Sequence, residues 1–271
     1  MKFKLKGLKH APSASLGKFF TTIPPTTTIL NLSCSRLFNK EIEDLLNAFK
    51  LIPPTVTVLN LSGNMLGNMA TESLVKLVAA VPESIQTISL RRNNLGNKNL
   101  YDLASVFSAL APNVKKLILS NNQFKFKKIP DLQDAFKAIP QSVTDLDLSK
   151  SSLNLLSIKK LNQLKDTLPH IQTVILSREE IEKMSANHRL ALASLFPNLK
   201  KAVFIDKNGK LLNPMLTVRL THTLGLKASP PSLLQQASIF AALNKDKVNK
   251  SKIALNDEAK EYIAAVSTFS N

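Results

Sequence analysis

The stretch "TVTVLNLSGNMLG", Thr55–Gly67, decides how this chain is read. Taken alone it is a strand followed by a turn signal at Gly63-Asn64, which fits one arm of a hairpin equally well. Aligning the rest of the chain on Leu59 and Leu61 removes the ambiguity. The pair recurs as Leu30 and Leu32 in "TILNLSCSRL", Ile88 and Leu90 in "QTISLRRNNL", Leu117 and Leu119 in "VKKLILSNNQF", and Leu146 and Leu148 in "VTDLDLSKSSL". It continues as Val174 and Leu176 in "IQTVILSREEI" and as Val203 and Ile205 in "KKAVFIDKNGKL". The successive offsets are 29, 29, 29, 29, 28 and 29 residues, the mark of a repeat architecture.

The remainder of each unit repeats as well. Fifteen residues after the first strand leucine comes an apolar set at i, i+3, i+4, i+7: Leu45, Ala48, Phe49 and Ile52 in one unit, Leu74, Leu77, Val78 and Val81 in the next. Such spacing predicts a helix with one buried stripe. It persists as Leu103, Val106, Phe107, Leu110 and as Leu132, Ala135, Phe136, Ile139, then weakens at Leu161, Leu164, Leu168, where Lys165 enters the stripe. A proline follows each helix, at 53, 82, 112, 140, 169 and 197. Strands joined through helices must be parallel. The expected fold is therefore α/β: a horseshoe solenoid with a parallel sheet on its concave face and helices on its convex face. Residues 1–28 read as a capping half-unit, a helix without its strand, and residues 29–210 as seven repeats. Residues 211–271 read as a helical C-terminal cap or subdomain, opening with Asn213 as a helix N-cap and continuing through "SPPSLLQQASIFAALNK" and "NDEAKEYIAAVSTF".

"LNLSGNML" and "LILSNNQF" resemble the leucine-rich-repeat consensus L-x-L-x-x-N-x-L, and a strand-plus-helix unit of this length is similar to the ribonuclease-inhibitor type. In that family a buried asparagine bridges the backbones of adjacent units. Here the position falls on Asn64, Asn93, Asn122 and Asn208, with Ser35, Ser151 and Glu179 elsewhere, so a distorted turn is expected near "SREEIEK". The unit style of "IPPTVTVLNLSGNML" and "IPQSVTDLDLSKSSL", with the tail "LGLKASPPSLLQQASIF", also resembles the leucine-rich-repeat effectors of Legionella. Membership would imply synthesis in a bacterial cytoplasm, delivery through a type IV secretion system into a host cell, and a signal near the C-terminus.

Composition bounds the function. With 271 residues and 44% hydrophobic content, the chain reads as a folded soluble protein. Lysine and arginine number 36 against 19 acidic residues, a net charge of +17, which predicts attraction to an anionic partner. Cys34 is the only cysteine, so no intrachain disulfide forms, and a reducing compartment is expected. The basic start "MKFKLKGLKHAPSASLGKFF" lacks the apolar core of a signal peptide.

For catalysis, His10, His170, His188 and His222 are scattered, Cys34 has no histidine nearby in sequence, and no phosphate-binding loop or metal-ligand spacing is present, so neither cofactor nor metal is expected. Asp145 and Asp147 flank Leu146 and share the concave face, where a charged rim next to Lys116 is the simpler reading than acid–base chemistry. "QFKFKKIP" interleaves aromatics with lysines, but Phe124 holds a consensus core position. The concave-face positions Asn60, Ser89, Ile118, Asp147, Ile175 and Phe204 change from polar to apolar along the chain, with Arg91, Arg92, Lys116, Asp145 and Arg178 around them. Seven strands span roughly 29 Å, enough for a protein interface. The expected function is a monomeric, non-enzymatic module that binds a host protein through this face. The alternative is a basic scaffold that docks on nucleic acid or an anionic membrane.

Overall fold

A computed structural model describes residues 1–96 and 102–226. Eight parallel strands form one sheet in strict chain order: β1 Lys2–Lys4, β2 Ile29–Asn31, β3 Val58–Asn60, β4 Thr87–Ser89, β5 Lys116–Ile118, β6 Asp145–Asp147, β7 Thr173–Ser177 and β8 Lys201–Ile205. Each returns through a helix on the convex side: α1 Leu16–Phe20, α2 Ile42–Phe49, α3 Thr71–Ala79, α4 Leu103–Ser108, α5 Ile129–Lys137 and α6 Ile158–Gln163. The last return holds two helices, α7 Arg178–Glu182 and α8 Ala186–Ala193. These helices stack on one another in order, α8 following α6. The core lies between the layers. All the stripe residues from Leu45 to Ile139 are buried, as are Leu30, Leu59, Ile88, Leu117, Leu146 and Val174 from the strands. Lys165, the exception in the stripe, stays exposed. Most of the prolines sit in the turn after the helix, and the carbonyls of Pro53, Pro82 and Pro140 accept the N–H of Val56, Ile85 and Val143 at 3.0 Å.

The loop after each strand is built around one buried side chain. Asn64 accepts the N–H groups of Ser35 (2.8 Å) and Leu37 (3.4 Å) of the preceding unit and donates to the carbonyls of Leu32 and Leu61, both at 2.9 Å. Its amide thus meets four backbone groups, the most it can satisfy. Asn122 repeats the arrangement, and Asn93 does so except that its second donor reaches the Arg91 carbonyl at 3.4 Å. The residues on either side of each rung have positive φ: Cys34 and Arg36, Gly63 and Met65, Arg92 and Asn94, Asn121 and Gln123, Lys150 and Ser152. For non-glycine residues that conformation costs about 1–2 kcal/mol each, and the rung's bonds hold it in place.

Four expectations need correction. The N-terminal unit has its strand: β1 pairs with β2 through Phe3 and Leu30, and Leu5 and Leu8 are buried behind it. At β8 the register runs Val174 to Ala202 and Leu176 to Phe204, an offset of 28 rather than 29. A one-residue slip moves every side chain to the other face, so Phe204 is fully buried, and Val203 and Ile205 face outward, half-exposed. Third, the rung after Ser151 is Glu180 and not Glu179. Its Oε1 accepts the N–H of Ser152 at 2.9 Å, while Glu179 takes the hydroxyl of Ser177. The loop near "SREEIEK" departs from the others as expected, because α7 starts directly after β7. Asn208 is no rung either. It is exposed in a tight turn in which Asp206 accepts the N–H of Asn208 and of Lys210, and Leu211 returns antiparallel to Ile205.

Helix α9, Pro214–Thr223, then packs against β8 and α8, and covers the end of the core with the buried Leu220 and Leu224. Asn213 caps it, accepting the N–H of Leu216 at 2.9 Å. The two further helices expected from sequence fall outside the described residues. No helix among those described is long and apolar enough to cross a membrane.

Candidate functional site

Because strands alternate their side chains, the concave face carries two main rows. One runs Ile29, Val58, Thr87, Lys116, Asp145, Thr173, Lys201; the other runs Asn31, Asn60, Ser89, Ile118, Asp147, Ile175, Val203. Lys2 and Lys4 begin them on β1, both exposed. The structure therefore brings together Asn60, Ser89, Ile118, Asp147 and Ile175 in one row, as sequence predicts, with Lys116 and Asp145 side by side in the other. It removes Phe204 from the face and puts Val203 in its place.

The polar members are partly committed to one another. Asn60 Oδ1 accepts the N–H and the hydroxyl of Ser62, at 3.0 and 2.6 Å, and the Ser62 hydroxyl lies 2.8 Å from that of Ser89. Ser89 is only 8% exposed, so it offers little surface. Asp147 repeats the motif, accepting the N–H and hydroxyl of Ser149 at 2.9 and 2.6 Å, and Asp145 accepts the Thr144 hydroxyl at 3.0 Å. These carboxylates shape the loop edge of the sheet. Among the described residues no cluster of three or more histidine, cysteine or acidic side chains is placed to hold a metal. Arg91 follows β4 between Ser62 and Ser120 in the next row up; it is half-buried, with no hydrogen-bond partner for Nε among the described residues. Arg92 is exposed at its positive-φ position. Arg178 opens α7, pairs with Glu182 at 2.8 Å, and belongs to the C-terminal end of the solenoid.

The apolar positions are Ile118, Ile175, Val203 and Ile205 toward one end and Ile29 and Val58 toward the other, all half-exposed. Sequence reasoning missed Ile29 and Val58, although both stand one residue before a strand leucine, where an outward apolar side chain is legible. Phe124 is buried, as its consensus place implies, and Phe126 is 46% exposed with Lys125 over its ring. Cys34 is exposed and unpaired. His188 meets the Leu156 carbonyl at 2.6 Å. His170 is half-buried, and burial holds its pKa below the ordinary histidine value.

Parallel strands in chain order, convex helices and a buried asparagine ladder at constant period define a leucine-rich-repeat solenoid, a fold that typically serves as a scaffold for protein interaction. Comparison with known proteins agrees, and the chain belongs to the leucine-rich-repeat family. It is similar to the crystal structure of the leucine-rich repeat-containing protein LegL7 from Legionella pneumophila, with a TM-score of 0.77 and 35% identity over 86% of this chain and 74% of that one. No family model matches the sequence, and no curated protein does.

Proposed function

We propose that the chain is a non-enzymatic binding module that captures a host protein on its concave face after delivery from a bacterium into the host cytoplasm. The observation that carries this reading is the face itself. Eight strands spanning roughly 34 Å present half-exposed Ile118, Ile175 and Val203 beside Lys116, Asp145 and Asp147. Exposed apolar groups ringed by charge are the composition of a protein contact surface. The similarity to a Legionella protein supports the setting, and the charge of +17 supports an acidic partner surface.

The test is affinity capture from host-cell lysate with wild type beside an Ile118→Asp/Ile175→Asp variant of unchanged fold. Loss of a specific protein from the variant supports the reading, and identical recovery removes it. The basic-scaffold reading draws on the exposed Lys2 and Lys4 at the open sheet edge together with the net charge. Salt separates the two, because binding to nucleic acid or lipid driven by charge falls steeply with ionic strength, whereas an interface centred on apolar contacts persists.

A further inference from the structure

At the C-terminal end of the solenoid, α7, α8 and α9 meet around a pocket of about 130 Å³. Three arginines line it, Arg178, Arg189 and Arg219, with Glu182 as the only carboxylate among the described residues and Leu216 and Leu220 among the remaining walls. The three arginines come from three different helices, with Arg219 30 residues beyond Arg189, so the fold brings them together. Two of the guanidinium groups are held in place: Arg189 donates through Nε to the carbonyl of Ile181 at 2.9 Å and through an Nη to that of Glu182 at 3.5 Å, and Arg178 Nε pairs with Glu182 at 2.8 Å. Arg219 is exposed and makes no hydrogen bond or ion pair among the described residues. A guanidinium has five N–H donors, so these contacts leave most of the donor set unspent.

We infer that this pocket binds a phosphate monoester group. Three guanidinium charges less one carboxylate leave about two positive charges. A phosphate monoester carries about −1.5 to −2 at pH 7 and offers three acceptor oxygens, whereas a carboxylate carries only one charge. The planar fork of arginine matches phosphate oxygens two at a time. The volume is well below the roughly 300 Å³ at which whole small-molecule ligands are enclosed, so the phosphate enters and the rest of the ligand stays outside. The group can be supplied by a soluble phosphate or by a lipid headgroup ending in a monoester.

The experiment has two arms, both on the full chain. In the first, calorimetric titration compares inorganic phosphate with acetate at matched ionic strength. In the second, sedimentation compares vesicles containing phosphatidic acid with phosphatidylserine vesicles of equal surface charge. Arg219→Ala is expected to weaken phosphate binding at least tenfold, Arg219→Lys to recover part of it, and Arg36→Ala, an exposed arginine at the other end of the solenoid, to change nothing. Arg219-dependent preference for free phosphate over acetate assigns a soluble source, and Arg219-dependent preference for phosphatidic acid assigns a lipid one. The inference is overturned if neither preference is seen, or if Arg219→Ala leaves both unchanged.

Discussion

The side chain of Asn93 accepts the backbone N–H of Asn64 at 2.8 Å, one unit back along the chain. The same amide donates to the Leu61 carbonyl at 2.9 Å, so one side chain ties two loops, beside the backbone bond from the positive-φ Gly63 to the Arg91 carbonyl at 2.8 Å. Asn93→Ala leaves the buried N–H groups of Asn64 and Leu66 without their acceptor, at about 1–3 kcal/mol for each, while the Leu61 carbonyl keeps its bond from Asn64. The expected loss is about 3–5 kcal/mol in urea denaturation. Asn93→Ser should lose roughly half as much, since serine already fills the equivalent positions at Ser35 and Ser151. An unchanged midpoint for Asn93→Ala would mean that packing alone holds the loops.

Gly67 and Gly96 face a different demand. A Cβ at Gly67 would lie 2.1 Å from the carbonyl oxygen of Asn94, and one at Gly96 would lie 2.3 Å from that of Gln123. Both obstacles are backbone and cannot rotate away. Gly67 also donates to the Asn93 carbonyl at 2.7 Å, so an added methyl forces two units apart. Gly67→Ala and Gly96→Ala should each cost at least about 2 kcal/mol. Gly209→Ala, with open space around it and only its φ of +84° to oppose it, should cost about 1 kcal/mol. Equal effects at Gly67 and Gly209 would show that conformation, not the close approach, is what glycine supplies.

How much of this was legible follows from where the pattern is redundant. In the central units the strand leucines, helix stripe and ladder asparagine each report the same period, so an error in one is caught by the others. At β8 the sequence "KAVFI" is apolar at four successive positions, and offsets of 28 and 29 both put apolar residues inside. The buried Phe204 decided the register through its volume, which alternation does not encode. At the other end, "KFKLK" alternates as a strand should, but its offset of 27 from β2 lies outside the repeat period. On the concave face, position was readable for Asn60, Ile118, Asp147 and Ile175. The mutual bonding of Asn60, Ser62 and Ser89 was not, because it depends on side-chain reach between strands.

Glu180 ends the ladder with a carboxylate where an amide is the usual rung, and this gives stability a pH dependence. Burial raises its pKa above the ordinary 4.5; the N–H groups of Ser152, Lys150 and Ser151 oppose the shift, and the neighbouring Glu179 adds to it. Between the unfolded value and the raised folded one, the native chain binds more protons than the unfolded chain, so stability falls as pH rises. The contribution is complete below the unfolded value and is lost as pH rises through the folded one. Glu180→Gln keeps an acceptor for Ser152 and removes the charge. It should flatten the decline in stability above pH 4.5 and raise the thermal midpoint at neutral pH relative to wild type. A variant whose pH profile overlays that of wild type would place the ionisation cost elsewhere.

The register at β8 yields the sharpest test of both fold and face. Phe204 is fully buried, whereas its neighbour Val203 is half-exposed beside Ile175. An aspartate in place of Phe204 removes a large core side chain and buries an unpaired charge, so Phe204→Asp should cost more than about 4 kcal/mol and unfold the last units first. Val203→Asp and Ile175→Asp put their carboxylates on the concave surface, where the stability change should stay within about 1 kcal/mol. If the proposed face is correct, those two variants keep the wild-type unfolding midpoint yet fail to recover a partner from host lysate. Denaturation curves read the first outcome and affinity capture the second. Should Val203→Asp unfold the protein while Phe204→Asp leaves it intact, the register is 29 after all and the face must be redrawn. Should both surface variants fold and still capture the same proteins as wild type, the register stands and this part of the face is not the contact surface.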